Sequence, residues 1–163
     1  MHELPSRWPW LLLAFVIALL DQLTKWLVLE HFEPGDVLQV LPVFNLVLTF
    51  NEGAAFGFLS DAGGWQRWFF ILLTILVSIL LTVWLWRLPA RERWTAAALS
   101  LVLGGALGNL VDRIRTGRVT DFLDVHWQHW HWPAFNLADS AITLGVVVLI
   151  LVAWRDEENC KSA

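Results

Sequence analysis

Charge is scarce in this 163-residue chain. Asp, Glu, Lys and Arg together make up 16% of it, against roughly a quarter in soluble domains. Cysteine is almost absent: the one Cys160 lies in a polar tail, so no internal disulfide can form and a disulfide scaffold is excluded. The net charge of −4 leaves no overall basic field, which argues against nucleic acid as a partner. No stretch rich in Gly, Pro or Ser separates two halves, and there is no repeat or low-complexity tract. One domain over residues 1–163 is therefore expected. Tyrosine is missing altogether, while tryptophan occurs 12 times.

What is abundant is apolar surface. Hydrophobic residues reach 57% without glycine, already above the roughly 45–50% usual with glycine included. Mean hydropathy is +0.57. A soluble domain of this size cannot hide so much, so the bilayer is the expected solvent. Four stretches can span about 30 Å of hydrocarbon: residues 8–29, 68–86, 94–114 and 138–154. Trp8, Trp10, Trp65, Trp68, Trp84, Trp86, Trp94 and Trp154 sit near their ends, where interfacial aromatic belts lie. The first stretch runs on past Asp21 and Lys25 with no A-x-A-like exit, so it reads as a retained helix rather than a cleaved leader.

The even number of spans puts both termini on one side. Arg87, Arg91 and Arg93 cluster in the second loop and favour a cytoplasmic placement for that side. Between the first two spans, Val43, Asn45, Val47, Thr49 and Asn51 alternate with Phe44, Leu46, Leu48 and Phe50. Period two with β-branched residues predicts short strands at the membrane surface, a cradle over about residues 37–60. The outer loop, about residues 115–137, is extended in part. There Val119, Asp121, Leu123 and Val125 share one face, and Thr120, Phe122, Asp124 and His126 the other.

Charged groups inside apolar spans are costly and are functional candidates. Asp21 and Lys25 share a helix face and read first as a neutralised structural pair. Asn109, Asp112 and Arg113 follow Gly104, Gly105 and Gly108, which permit close helix approach. Asp139 opens the fourth span three residues after Asn136. Spacing alone favours helix capping there; an acid–base pair with the loop residue Asp121 is the sharper alternative. His126, His129 and His131 have a spacing open to zinc. No second ligand motif supports it, and an aromatic segment lying on lipid headgroups is the plainer reading. Ser140 lacks a G-x-S-x-G setting.

Five blocks stand in order at helix ends and surface loops: Asp21-Gln-Leu-Thr-Lys25, Asn51-Glu-Gly-Ala-Ala-Phe-Gly57, Gly108-Asn-Leu-Val-Asp-Arg113, Val119-Thr-Asp-Phe122 and Phe135-Asn-Leu-Ala-Asp-Ser140. Together they resemble the lipoprotein signal peptidase (signal peptidase II) family over nearly the whole chain. The resemblance implies a bacterial inner-membrane aspartyl endopeptidase that cuts diacylglyceryl-modified prolipoproteins before the lipid-bearing Cys. It implies a membrane all-α fold of four helices, with a small β-like cradle and a short surface helix on the outer face. Asp121 and Asp139 would be the catalytic pair, and Asn51, Gly53, Asn109, Arg113 and Asn136 would line the peptide site. Asp21, Lys25 and Asp112 would brace it. No metal or cofactor is implied, and the partners expected are lipid-modified precursors and membrane lipids, with the peptidase a monomer. A small proton-coupled transporter with intramembrane Asp and Lys is the rival, but it would spread its charges through the membrane depth.

Overall fold

The computed structural model describes residues 7–53 and 64–161. Four helices dominate: α1 (Trp8–His31), α2 (Trp65–Arg87), α3 (Arg93–Thr116) and α4 (Leu137–Lys161). Each is long and apolar enough to cross a membrane, α4 over Leu137–Glu158. The first three fall within a few residues of the stretches expected from hydropathy. α4 runs well past Trp154, because Arg155-Asp-Glu-Glu favours helix while ending the apolar run. Hydropathy marks where hydrocarbon stops, and the helix does not stop there.

α3 is the central helix, packed against α1, α2 and α4. Its buried face includes Leu99, Leu103, Gly104, Gly105, Gly108 and Asn109. The outward apolar residues of the other helices, such as Leu72, Leu80 and Ile150, are exposed to what would be lipid. Helices in lipid gain little from burying Leu against Leu, so contact rests on close backbone approach. The glycines supply it. A methyl at Gly104 would lie 2.6 Å from Ala14 O on α1, and one at Gly108 would lie 2.5 Å from Asp21 Oδ2. On the α4 side, a methyl at Gly105 would run into Ala138 O. α4 answers with Gly145, whose methyl would lie 2.7 Å from Ala98 O.

Across one end of the bundle lies a four-stranded antiparallel sheet in the order β1 (Val37–Leu41), β2 (Phe44–Asn51), β3 (Val119–Trp127), β4 (Trp130–His131). This is the predicted cradle as far as Gly53; its remainder, residues 54–60, lies outside the described residues. The expected surface helix is not formed by any described residue. β2 departs from simple alternation. Its buried residues are Asn45 and Leu48, three apart. A register shift between Leu46 and Thr49 against β3 accounts for this, since an extra residue flips the side-chain pattern. Leu48 and Phe122 then meet Val28 near the end of α1 in an apolar cluster that ties the sheet to the bundle. β3 starts with four buried residues in a row, Val119 to Phe122, so both its faces are covered there.

Gly105→Ala is expected to destabilise the α3–α4 contact. The atom in the way is backbone, and overpacking of this kind costs about 1–3 kcal/mol. A lower Tm in detergent, measured by loss of helical signal, checks it. An unchanged Tm would show that the two helices can part without loss.

Candidate active site

Lys25 is 2% exposed and Asp21 fully buried. The Lys25 Nζ lies 2.8 Å from Asp21 Oδ2 and 2.9 Å from Asp112 Oδ2, and it donates to Asn109 Oδ1 at 2.8 Å. Lys25 and Asp21 come from α1, and Asp112 and Asn109 from α3. The same acids then reach further. Asp21 Oδ1 accepts the Ala138 N–H at 2.9 Å, satisfying a first-turn donor of α4. Asp112 Oδ2 accepts the Thr120 N–H at 3.1 Å, fixing the start of β3. One ammonium thus gathers both helices, and its acids hold the two segments that carry Asp121 and Asp139.

Asn136 and Asp139 form a reciprocal cap on α4. The Asp139 N–H donates to Asn136 Oδ1 at 2.9 Å, and the Asn136 N–H donates to Asp139 Oδ2 at 3.3 Å. Capping and site geometry are therefore not alternatives here. The Asn136 side chain also donates through Nδ2 to Asp121 Oδ1 at 2.6 Å and to Asn109 Oδ1 at 3.2 Å. Asn109 in turn donates to Asp139 Oδ1 at 2.8 Å. Asn136 thus touches both acids, and Asn109 links Lys25 to Asp139.

Asp121 and Asp139 line one cavity of about 1700 Å³, together with Asn51, Asn109 and Arg113. On one side it is walled by β2 and the segment Trp132–Phe135, and on the other by α4 residues down to Val147. Burial pushes the Asp121 carboxyl up to about 7, and the nearby Asp139 acts in the same direction. Hydrogen bonds from Asn136 and Asn51 and the charge of Lys25 pull it back. Arg113 donates from Nη2 to the Gly53 carbonyl at 3.0 Å and lies over the Phe70 ring at 5.1 Å. Asn51 Oδ1 accepts the Gly53 N–H at 3.0 Å. Among the described residues the buried Arg113 Nε has no partner.

Asp21, Lys25, Asn51, Gly53, Asn109, Asp112, Arg113, Asp121, Asn136 and Asp139 lie together at this end of the bundle. Asp124 does not join them. It is buried on the other side of β3, where Asn45 Nδ2 donates to it at 2.8 Å and His131 Nδ1 lies 2.9 Å away. Gln22 also belongs to this network, and sequence reasoning misses it. Its Nε2 donates to Asp112 Oδ1 at 2.8 Å and to Gly108 O at 3.1 Å, locking Asp112 in place. Its only sequence signal is its place between Asp21 and Lys25. Nothing in the sequence marks Thr120, because it works through its backbone N–H, which no residue type advertises.

Residues 13–155 match the family described as Signal peptidase (SPase) II. The chain belongs to the signal peptidase II family. Its relatives include the lipoprotein signal peptidase of Pseudomonas aeruginosa (strain UCBPP-PA14), 50% identical over 97% of this chain and 95% of that protein. The lipoprotein signal peptidase of Acinetobacter baumannii (strain ATCC 17978) is 52% identical over 90% of this chain and 84% of that one. Among solved structures, a bacterial membrane enzyme determined in meso at 2.3 Å superposes with a TM-score of 0.87 at 34% identity, covering 98% of this chain and 95% of that one. The protein is thus a multi-pass membrane peptidase of the aspartic type, and the transporter reading is not favoured. Its ionisable groups also cluster at one level rather than along a path.

Lys25→Met is expected to harm folding before chemistry. It leaves two buried carboxylates without their shared cation, and an uncompensated buried charge commonly costs about 3–5 kcal/mol. Yield and Tm in detergent should both fall. A variant that folds with the parent Tm yet is wholly inactive would move Lys25 into the reaction itself.

Proposed function

We propose that this peptidase hydrolyses diacylglyceryl-modified prolipoproteins just before the lipid-bearing Cys, with Asp121 and Asp139 as its acid–base pair. The observation that carries the reading is that Asn136 donates to both carboxyls in one cavity, to Asp121 through its side chain and to Asp139 through its backbone N–H. Peptide hydrolysis needs an activated water and a proton for the leaving nitrogen. Two neighbouring carboxyls supply both, because when one keeps the proton the other is free to ionise. Asp121, with its carboxyl raised to about 7, is the partner that holds the proton at rest. Asp139 takes a proton from water as the water oxygen bonds to the scissile carbonyl carbon, while Asp121 donates to the carbonyl oxygen. Collapse of the tetrahedral species breaks the C–N bond. The proton passes to the nitrogen, leaving a carboxylate on the signal peptide and an amine on the Cys.

The surrounding donors suit an extended substrate. Arg113 lines the cavity, and its guanidinium supplies a donor for a peptide carbonyl or for the tetrahedral oxygen. Asn51 and Gly53 are held beside it. Asp21, Lys25 and Asp112 brace the site from the span. The acyl chains stay in the bilayer along the α4 side of the cavity, where Ile142, Leu144 and Val147 lie. This orientation puts the sheet on the outer face of a bacterial inner membrane and both termini in the cytoplasm, with the monomer as the working unit. No metal or cofactor enters the reaction.

Cleavage of a synthetic precursor by the purified peptidase tests the substrate. The diacylglyceryl form should be cut, and the same peptide without lipid should be a very poor substrate. Equal kcat/KM for the two would remove the lipid from recognition.

The pair itself is tested by Asp121→Asn and Asp139→Asn. General acid–base work is typically worth about 10²–10⁴-fold, so each should lose at least that, and the double variant should be hardly worse. Asp124→Asn should keep most activity, since Asp124 sits on the other side of β3. Activity should also fall as pH rises through about 7, where Asp121 loses its proton. Two single losses that simply multiply, or an inactive Asp124→Asn beside an active Asp121→Asn, would overturn the pairing.

A further inference from the structure

The Trp127–Trp132 hairpin touches the cavity only at its last residue, Trp132, yet it holds three of the chain's 12 tryptophans within six residues. Trp127 and Trp130 face each other across β3 and β4, joined by the two-residue turn Gln128–His129 with Gln128 in the left-handed region (φ 54°). Strand alternation puts Val125 and Trp132 on the same face as this pair. His126 and His131 take the other face, stacked at 5.0 Å, with His131 Nδ1 beside the buried Asp124. The hairpin is therefore pinned from its histidine side, and Trp127 and Trp130 are exposed on the other. Trp127, Trp130 and Trp132 are 69%, 60% and 46% exposed, and Val125 is 40% exposed. No acidic residue occurs from 125 to 135.

Two observations say what lies against that side. β3 is fastened at Thr120 to Asp112, one turn before the end of α3. Its Phe122 packs on Val28, about one turn before the end of α1. The start of β3 is thus held at the level of two helix ends, where the spans leave the hydrocarbon. Alternation also gives the indole face the side of β3 that carries Asp121. The cavity on that side continues along α4 to Val147, inside the span.

We propose that the Val125–Trp132 face is a lipid-docking surface, its indoles lying in the headgroup layer of the bilayer on the catalytic side of the membrane. Indole suits that layer because its ring is apolar and its N–H can bond to water or ester oxygens. An uncharged aromatic face meets lipid without stripping water from any ion. The proposal does not depend on which substrate is cut.

The test uses the full chain in phospholipid nanodiscs, with Cys160→Ser removing the native thiol and His129→Cys carrying a nitroxide at the hairpin tip. All three tryptophans remain in that variant. Collision rates with oxygen, which concentrates in lipid, and with a water-soluble nickel chelate report the depth of the label. Docking requires a higher oxygen-to-nickel ratio than a label on the opposite aqueous loop, at Glu92→Cys. It also requires that ratio to fall when Trp127→Ser and Trp130→Ser are added. A nickel-accessible tip, or a depth indifferent to loss of the two indoles, would overturn the proposal. A tip shielded from both reagents would overturn it too, since protein and not lipid would then cover the face.

Discussion

The ammonium of Lys25 is where the fold and the site are joined. It lies within hydrogen-bond distance of Asp21, Asp112 and Asn109, with almost no exposure to solvent. A buried cation in a lipid-embedded bundle must be matched, and here the matching groups each have a second task. Asp21 holds the first turn of α4, Asp112 holds the start of β3, and Asn109 passes a hydrogen bond to Asp139. Each acid of the brace holds the residue immediately before an acid of the site, Ala138 before Asp139 and Thr120 before Asp121. Close packing makes this possible: Gly108 leaves room for the Asp21 carboxylate, and no larger residue would.

The local economy at the start of α4 is similar. Asn136 is fully buried and bonds to four groups: Asp121, Asn109, Asp139 and the Thr120 carbonyl. A helix N-terminus needs acceptors, and the buried Asp121 carboxyl needs a donor. An amide side chain offers one of each, so a single asparagine meets both needs. An aspartate in its place would bring a third carboxylate against the first two. A serine would cap the helix but could not span from α4 to β3.

Much of this is legible in the sequence, for reasons that differ by element. The spans are plain because about 20 apolar residues in a row suit a helix through hydrocarbon and little else. The strands in residues 37–51 show through alternation, although the shift between Leu46 and Thr49 hides which side Leu48 takes. The polar residues of the site are conspicuous for the cost of placing them in lipid. Three things are not legible. Spacing does not say that Asp121 and Asp139 line one cavity, because they are held there by Asn136 and by the fastening of β3 to α3. Gln22 is uncharged among ionisable neighbours, so the cost of burial in lipid does not single it out. The donors of Thr120 and Ala138 belong to the main chain, where nearly every residue carries the same group.

The i, i+4 spacing of Asp21 and Lys25 has a consequence for how the protein is made. Both charges lie on α1, which leaves the ribosome before α2, α3 and α4, so each finds its counter-ion before those helices exist. α1 can therefore partition from the translocon into lipid as a nearly neutral rod, and its membrane insertion need not wait for the rest of the chain. Asp112 has no such companion on α3 other than Arg113 beside it, so its descent is eased only once α1 is already in place to offer Lys25. The order of synthesis and the order of charge neutralisation are the same.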